Sequence, residues 1–199
     1  MNRLLHLAST VSIASLLLAG CVGTNEASKN VALSKAPGSP GFLVVGLADE
    51  SARFGLSAAT VSIAMGFRNE AGQAAVMNRV ACGAALGFMR AKPCDVTKLE
   101  WQVLQVQPGE WRPHVAAATV NVIGGNKTPR DELPPSDPVR VGPGEIVYVG
   151  DYVLSVDYDA QEIAVKRHGR DDAAAASALN DYPNLRGAPI VYRAATRTR

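Results

Sequence analysis

Excess charge, paired cysteines and catalytic motifs are all scarce in this 199-residue chain, and each scarcity removes a class of function. Its 20 Lys and Arg stand against 18 Asp and Glu, a formal net charge of +2. That balance is too even to make nucleic acid or anionic lipid the main partner. No basic face with interleaved aromatics is present, so nucleic acid is not an expected partner. Cysteine occurs three times and never as C-x-x-C, which argues against a thiol redox motif. The histidines beyond the N-terminal leader, His114 and His168, do not form a spaced ligand pair. No metal and no other cofactor is expected from them. Neither Gly-x-Ser-x-Gly nor a catalytic-type cysteine occurs. Gly142-Pro143-Gly144 is too short for a phosphate loop and leads into a strand, where such a loop needs a helix N-terminus. What remains is the expectation of a protein that is not an enzyme.

The apolar run at the N-terminus is also too short to span a bilayer. Leu4 to Leu18 covers about fifteen residues, diluted by Ser9, Thr10, Ser12 and Ser15, where a span needs ~20. Arg3 precedes it and Ala19-Gly20 close it, and basic, apolar, small is the order of a secretory signal peptide. Leu18-Ala19-Gly20-Cys21 then resembles the lipobox of bacterial lipoproteins. The resemblance implies cleavage after residue 20, a diacylglyceryl group on the Cys21 thiol and a third acyl chain on its amino group. Two or more chains give stable anchoring. Val22 stands where an Asp would imply retention in the inner membrane. The resemblance therefore points to the cell outer membrane, with the lipid-anchored domain facing the periplasm.

Removing residues 1–20 from the 199 leaves 179, enough for one domain with a real core. Cys82 and Cys94 are an even remainder in a chain sent to an oxidising compartment, which reads as a disulfide. Two free buried thiols are the alternative. Residues 21–40 are polar, small and broken by Pro37, Gly38 and Pro40, and read as a lipidated flexible tether with a reach of roughly 25 Å. Residues 41–199 form the folded domain.

Within it, Phe42 to Leu47 is a branched apolar run that reads as a buried strand, and Val61, Ile63, Met65 and Phe67 place one face of the next strand on a core. Residues 70–96 read as a short helix or, preferably, an irregular excursion pinned by Cys82 and Cys94. Leu99 to Val106 switches parity, the mark of a bulge or of burial on both sides. Val106-Gln107-Pro108-Gly109-Glu110-Trp111 and Val141-Gly142-Pro143-Gly144-Glu145-Ile146 share a Pro-Gly pattern, so two strands are expected to start from the same type II corner. Val115 to Ile123 is a further strand, and the polar, Pro-rich residues 124–138 read as a long loop. From Ile146 to Val156 apolar residues alternate, and Tyr158 to Gln161 turns the chain into a hairpin with Ile163 and Val165. Asp171 and Asp172 start an Ala-rich helix that Pro183 ends, and Pro189 to Tyr192 supplies a last strand.

The sum is a mainly β, antiparallel two-sheet β-sandwich with one short C-terminal helix. The two Pro-Gly-Glu elements give residues 97–168 a resemblance to the transthyretin-like or immunoglobulin-like sandwiches of envelope lipoproteins. Candidate sites are few. Asp157, Asp159 and Glu162 lack the Gly a calcium loop needs and read as a solvated turn. Trp101, Trp111, Tyr148 and Tyr152 form either an aromatic binding face or, by default on alternating strands, core. The 124–138 loop and the Cys82–Cys94 excursion are better placed for recognition, since loops on a rigid scaffold carry function. The expected activity is binding of another envelope component through these loops. The alternative is a small-ligand-binding or hydrolytic protein using His114 or His168, a neutral imidazole being suited to a general base.

Overall fold

Branched and aromatic residues at period two build eleven strands and one short α-helix among the described residues, which are 25–50, 58–81, 96–122 and 125–195 of a computed structural model. The first sheet is ordered β10 (Glu162–Gly169), β9 (Ile146–Asp157), β1 (Gly41–Asp49), β4 (Glu100–Val106), with β11 (Ile190–Tyr192) beside β10 on β9. The second is ordered β3 (Ala74–Ala81), β2 (Ala58–Asn69), β5 (Gly109–Val122). Along the far edge of β5 lie three short strands, β6 (Gly125–Lys127), β7 (Arg130–Glu132) and β8 (Val139–Val141). The two sheets stack face to face as a β-sandwich. Leu43, Val45, Leu47, Ile63, Met65, Phe67, Leu104, Val147 and Leu154 fill the space between them.

The first sheet is mixed. β1 pairs antiparallel with β4 but parallel with β9, and β11 is also parallel to β9. Every residue of β1 is buried because the sheet is covered on both sides. On the outer side Phe42 and Val44 meet α1 (Asp172–Ala178) and the turns after it, through Ala175, Leu179, Tyr182 and Leu185. The helix starts where the Asp171 side chain accepts from the Ala174 N–H at 2.9 Å, the capping expected of that residue.

Several expectations change. Residues 25–40 are not a free tether. Ala27 is buried, its N–H donates to Val103 O, Gln105 N–H donates to Asn25 O, and Val31 and Leu33 pack against the helix-side cluster. Apolar Ala27, Val31 and Leu33, spread among polar neighbours, supply the burial that a purely polar segment lacks. Residues 74–81 are neither helix nor excursion but strand β3, hairpinned to β2 through a turn that Asn69 and Gln73 close with each other's side chains. The alternation of Ala75, Met77 and Arg79, all buried, was hidden by their helix-favouring types. The 124–138 loop is partly strand: β6 and β7 fold back on β5.

The two Pro-Gly corners differ as well. Gly144 has φ +62° and Glu145 N–H returns to Gly142 O at 3.1 Å, a closed turn, whereas Gly109 has φ +153° and begins β5 itself. Only in the first does Glu145 accept from the Gly142 N–H and grip Arg193, at 2.6 and 2.7 Å. Strand β9 does not keep one parity. The pairing with β1 slips between Val44 and Val45, so Ile146 and Tyr148 face the helix while Tyr152, Leu154 and Val156 face the inter-sheet core. A bulge at Val149–Gly150 exchanges the faces. Cys21, Cys82 and Cys94 lie outside the described residues.

Because residues 25–33 cover a buried sheet face, deleting them should lower unfolding free energy by about 2–4 kcal/mol in urea titrations. A free tether would leave the midpoint where it was.

Candidate functional site

One end of the sandwich carries a cleft of about 260 Å³ that joins two features the sequence had kept apart, His114 and the 124–138 loop. Arg68 on β2 and Arg112 on β5 are direct partners in the antiparallel pairing. Beyond them Phe67 pairs with Pro113 but Gly66 with Val115, so His114 is the extra residue of a bulge. Pro113 brings no N–H to the ladder, and proline inside a sheet is confined to such irregularities. The His114 carbonyl, turned out of register, accepts the Leu133 N–H at 2.8 Å and so ties the loop to the bulge. Leu133, Pro135 and Ser136 form the apolar and hydroxyl wall opposite the two arginines.

The electrostatics are open rather than locked. Arg112 lies 3.7 Å from Glu70, with both side chains largely exposed, a pair worth well under about 1 kcal/mol. Arg68 makes no ion pair with any described residue and is exposed. The Ser136 hydroxyl is buried without a hydrogen-bond partner, although buried hydroxyls ordinarily have one. It is therefore not bonded to the His114 imidazole that lines the same cleft, and no nucleophile–base pair is formed there. Chemically the cleft offers two guanidinium forks and an imidazole, with the Glu70 and Glu110 carboxylates and the Asn69 amide beside them, against an apolar wall. Guanidinium groups of this kind can bind carboxylate or phosphate oxygens.

The other sequence candidates fall elsewhere. His168 sits on the exposed end of β10, in the other sheet, and does not line the cleft. Asp157 accepts from the Asp159 and Ala160 N–H groups at 2.9 and 2.8 Å, the hydrogen bonding of a solvated turn. Asp159 pairs with Lys127, which holds its carboxyl below the usual carboxylate range, and Glu162 is exposed. Among the described residues no group of three His, Cys, Asp or Glu is placed to hold a metal ion. Trp101, Trp111, Tyr148 and Tyr152 do not share a face. Trp111 and Tyr152 are inside the sandwich, Tyr148 lies under the helix, and Trp101 is half-buried beside it.

Three buried charged residues, Asp49, Arg79 and Asp151, were not legible from sequence, and the last two bind strands together. Asp151, 2% exposed, receives the Tyr148 hydroxyl at 2.6 Å and the Trp101 indole N–H at 2.9 Å on the same oxygen. Tyr148 in turn accepts the Asp171 N–H at 2.9 Å, so one phenol links the carboxylate to the start of the helix. Gly46 makes room for this carboxylate: a Cβ there would stand 2.2 Å from Asp151 Oδ1. A glycine facing an Asp across two apolar strands is the signal that was available. Arg79, 5% exposed, donates to the Leu47 and Lys98 carbonyls, each at 2.6 Å, and to Glu100 at 3.1 Å, binding β3 to the first sheet. Both residues hold the scaffold on which the cleft sits.

No family model and no curated protein matches the chain. Among solved structures, that of a candidate cell adhesion protein from Bacteroides ovatus is similar at 10% identity and a TM-score of 0.26. The similarity covers 65% of this chain and 43% of that one, so the chain spans less than half the length of the protein it matches.

Replacing Tyr148 with Phe leaves the Asp171 N–H without an acceptor and Asp151 with one donor fewer. Unfolding free energy should fall by about 1–3 kcal/mol in denaturant titrations, with the inter-sheet core intact. Burial pushes the Tyr148 and Tyr152 phenols up to about 12, Tyr148 with help from Asp151. An unfolded tyrosine titrates near 10, so the stability these two contribute is complete below pH ~10 and is lost as pH rises toward ~12. Stability measured across that window should fall, and the loss should be smaller in Tyr148→Phe; an equal loss in the two proteins would refute the assignment to Tyr148.

Proposed function

We propose that this chain is a lipid-anchored lipoprotein of the cell outer membrane, facing the periplasm, whose sandwich binds another envelope component and performs no catalysis. The sequence support is the leader that ends at Leu18-Ala19-Gly20-Cys21. The observation that carries the binding role is the cleft. Two arginines paired across neighbouring strands line it with His114 and a loop wall, Glu70 and Glu110 standing beside them. Guanidinium groups brought side by side on neighbouring strands match the geometry of a carboxylate or phosphate, and arginine is among the residues that dominate binding energy at interfaces. The partner is accordingly an envelope protein that presents an acidic group to the cleft.

The test is in-cell crosslinking of a C-terminally tagged protein, followed by mass spectrometry. A discrete partner should appear with the wild type and fade with Cys21→Ala. In the double variant Arg68→Ala, Arg112→Ala, whose side chains are exposed and whose fold should survive, crosslinked partner should drop about tenfold or more, the loss expected of charged hydrogen bonds. Unchanged crosslinking in the double variant would remove the cleft from the reading.

A second reading rests on His114 lining the same cleft: a small anionic ligand in place of a protein. It predicts that an unlipidated domain gains thermal stability from small carboxylates or phosphates, and that His114→Ala removes the gain while His168→Ala does not.

A further inference from the structure

The way the chain enters the domain decides which end of the sandwich meets the bilayer. Asn25 to Ala27 run antiparallel beside β4, with Glu26 bridged to Leu104 and hydrogen bonds of 2.7 Å from Ala27 N–H to Val103 O and from Gln105 N–H to Asn25 O. Followed backwards from Ala27 to Asn25, the backbone therefore runs toward Val106 and that end of the sheet. The same end carries the β2–β3 turn, the Pro108-Gly109 corner and the cleft around His114. The opposite end carries the β9–β10 hairpin, where Lys127 meets Asp159. The twelve-residue β9 that separates the two ends is about 35–40 Å long.

The entering segment is firmly held. Asn25 Oδ1 accepts from Val76 N–H at 3.3 Å, Glu26 accepts from the Tyr182 hydroxyl at 3.1 Å, and the Lys29 ammonium lies 4.5 Å over the Tyr182 ring. From Asn25 to Cys21 is four residues, a span of at most about 14 Å. An acyl chain on Cys21 would hold Asn25 within about that distance of the membrane surface.

Resting on the lipid anchor proposed above, we infer that the domain docks on the lipid headgroups with its Asn25 end, the β2–β3 turn and the β4–β5 corner facing the bilayer. The groove at this end suits the occupant, beside the exposed Glu70 and Glu110 of the neighbouring turn and corner. It is lined by Asn25, Gln73, Gln105 and Gln107, all uncharged amides, and its one carboxylate, Glu26, is engaged by Tyr182. Amides donate to and accept from headgroups of any charge and meet no repulsion from anionic lipid. The His114 cleft then opens close to the membrane surface, and its partner is one that resides at that surface.

The test uses the full-length acylated protein in phosphatidylcholine vesicles that carry an energy acceptor on a fraction of their headgroups. A fluorescent amino acid is placed at Gln73 or at Ala160, both exposed and at opposite ends. Energy transfer from position 73 should exceed that from position 160 at least threefold. Inserting a flexible Gly/Ser segment of about twelve residues after Gly23 should erase the difference. Equal transfer from the two positions, or stronger transfer from 160, in protein that floats with the vesicles overturns the orientation and leaves the anchor standing. Failure of the wild type to float, as Cys21→Ala is expected to fail, overturns the anchor and the orientation with it.

Discussion

The Asp151 carboxylate is the point on which the outer layer of the molecule depends. A carboxylate removed from water needs donors in place, and an unmet one costs far more than a typical hydrogen bond contributes. Here Tyr148 and Trp101 supply them from two different strands, β9 and β4, across the intervening Gly46 of β1. The bulge at Val149–Gly150 is what puts Tyr148 and Asp151 on one face, since three residues apart they would otherwise point to opposite sides. Because Tyr148 also accepts from Asp171, the helix begins where the carboxylate network ends. Tyr182 and Leu185 beyond the helix then close over Phe42 and Val44, and the entering segment from Asn25 to Leu33 closes over them in turn.

Among the described residues the second sheet has no such cover, and it is there that the accessible chemistry of the cleft lies. β5 is the spine of that sheet: fourteen residues flanked on one edge by β2 and on the other by three short strands in succession. The short strands convert a long polar connection into a backbone-anchored wall. Pro113 breaks the β2–β5 ladder at the one place where that wall folds over it. The cleft is thus a product of sheet geometry, and the pairing of β2 with β5 sets its two arginines side by side.

Much of this was legible in the sequence, and the parts that were not share a cause. Period-two runs such as Val61-Ile63-Met65-Phe67 declare a strand with one buried face, and the β2, β5, β9 and β10 strands follow from them. β3 was misread because Ala74 to Ala81 uses residues of high helix propensity, and pairing with β2 overrides that preference. The parallel pairing of β1 with β9 leaves no local trace, since it joins residues far apart in sequence without a turn between them. The slip of parity in β9 was invisible for another reason: with both faces covered, apolar residues satisfy either assignment. His114 was picked out by type, but Arg68 and Arg112 became neighbours only through register, which one sequence does not display.

The parallel pairing also sets an order of events for a chain made from its N-terminus. β1 is nine residues with every side chain destined for burial, and its two neighbours, β4 and β9, arrive later, the second roughly a hundred residues behind. Until then the most apolar strand of the first sheet has both hydrogen-bonding edges open, the condition under which extended segments join their own kind. The hairpins of the second sheet, β2 with β3 among them, close from local contacts and need not wait. The central strand is therefore the first strand of the domain to emerge, and its second edge stays open until β9 arrives.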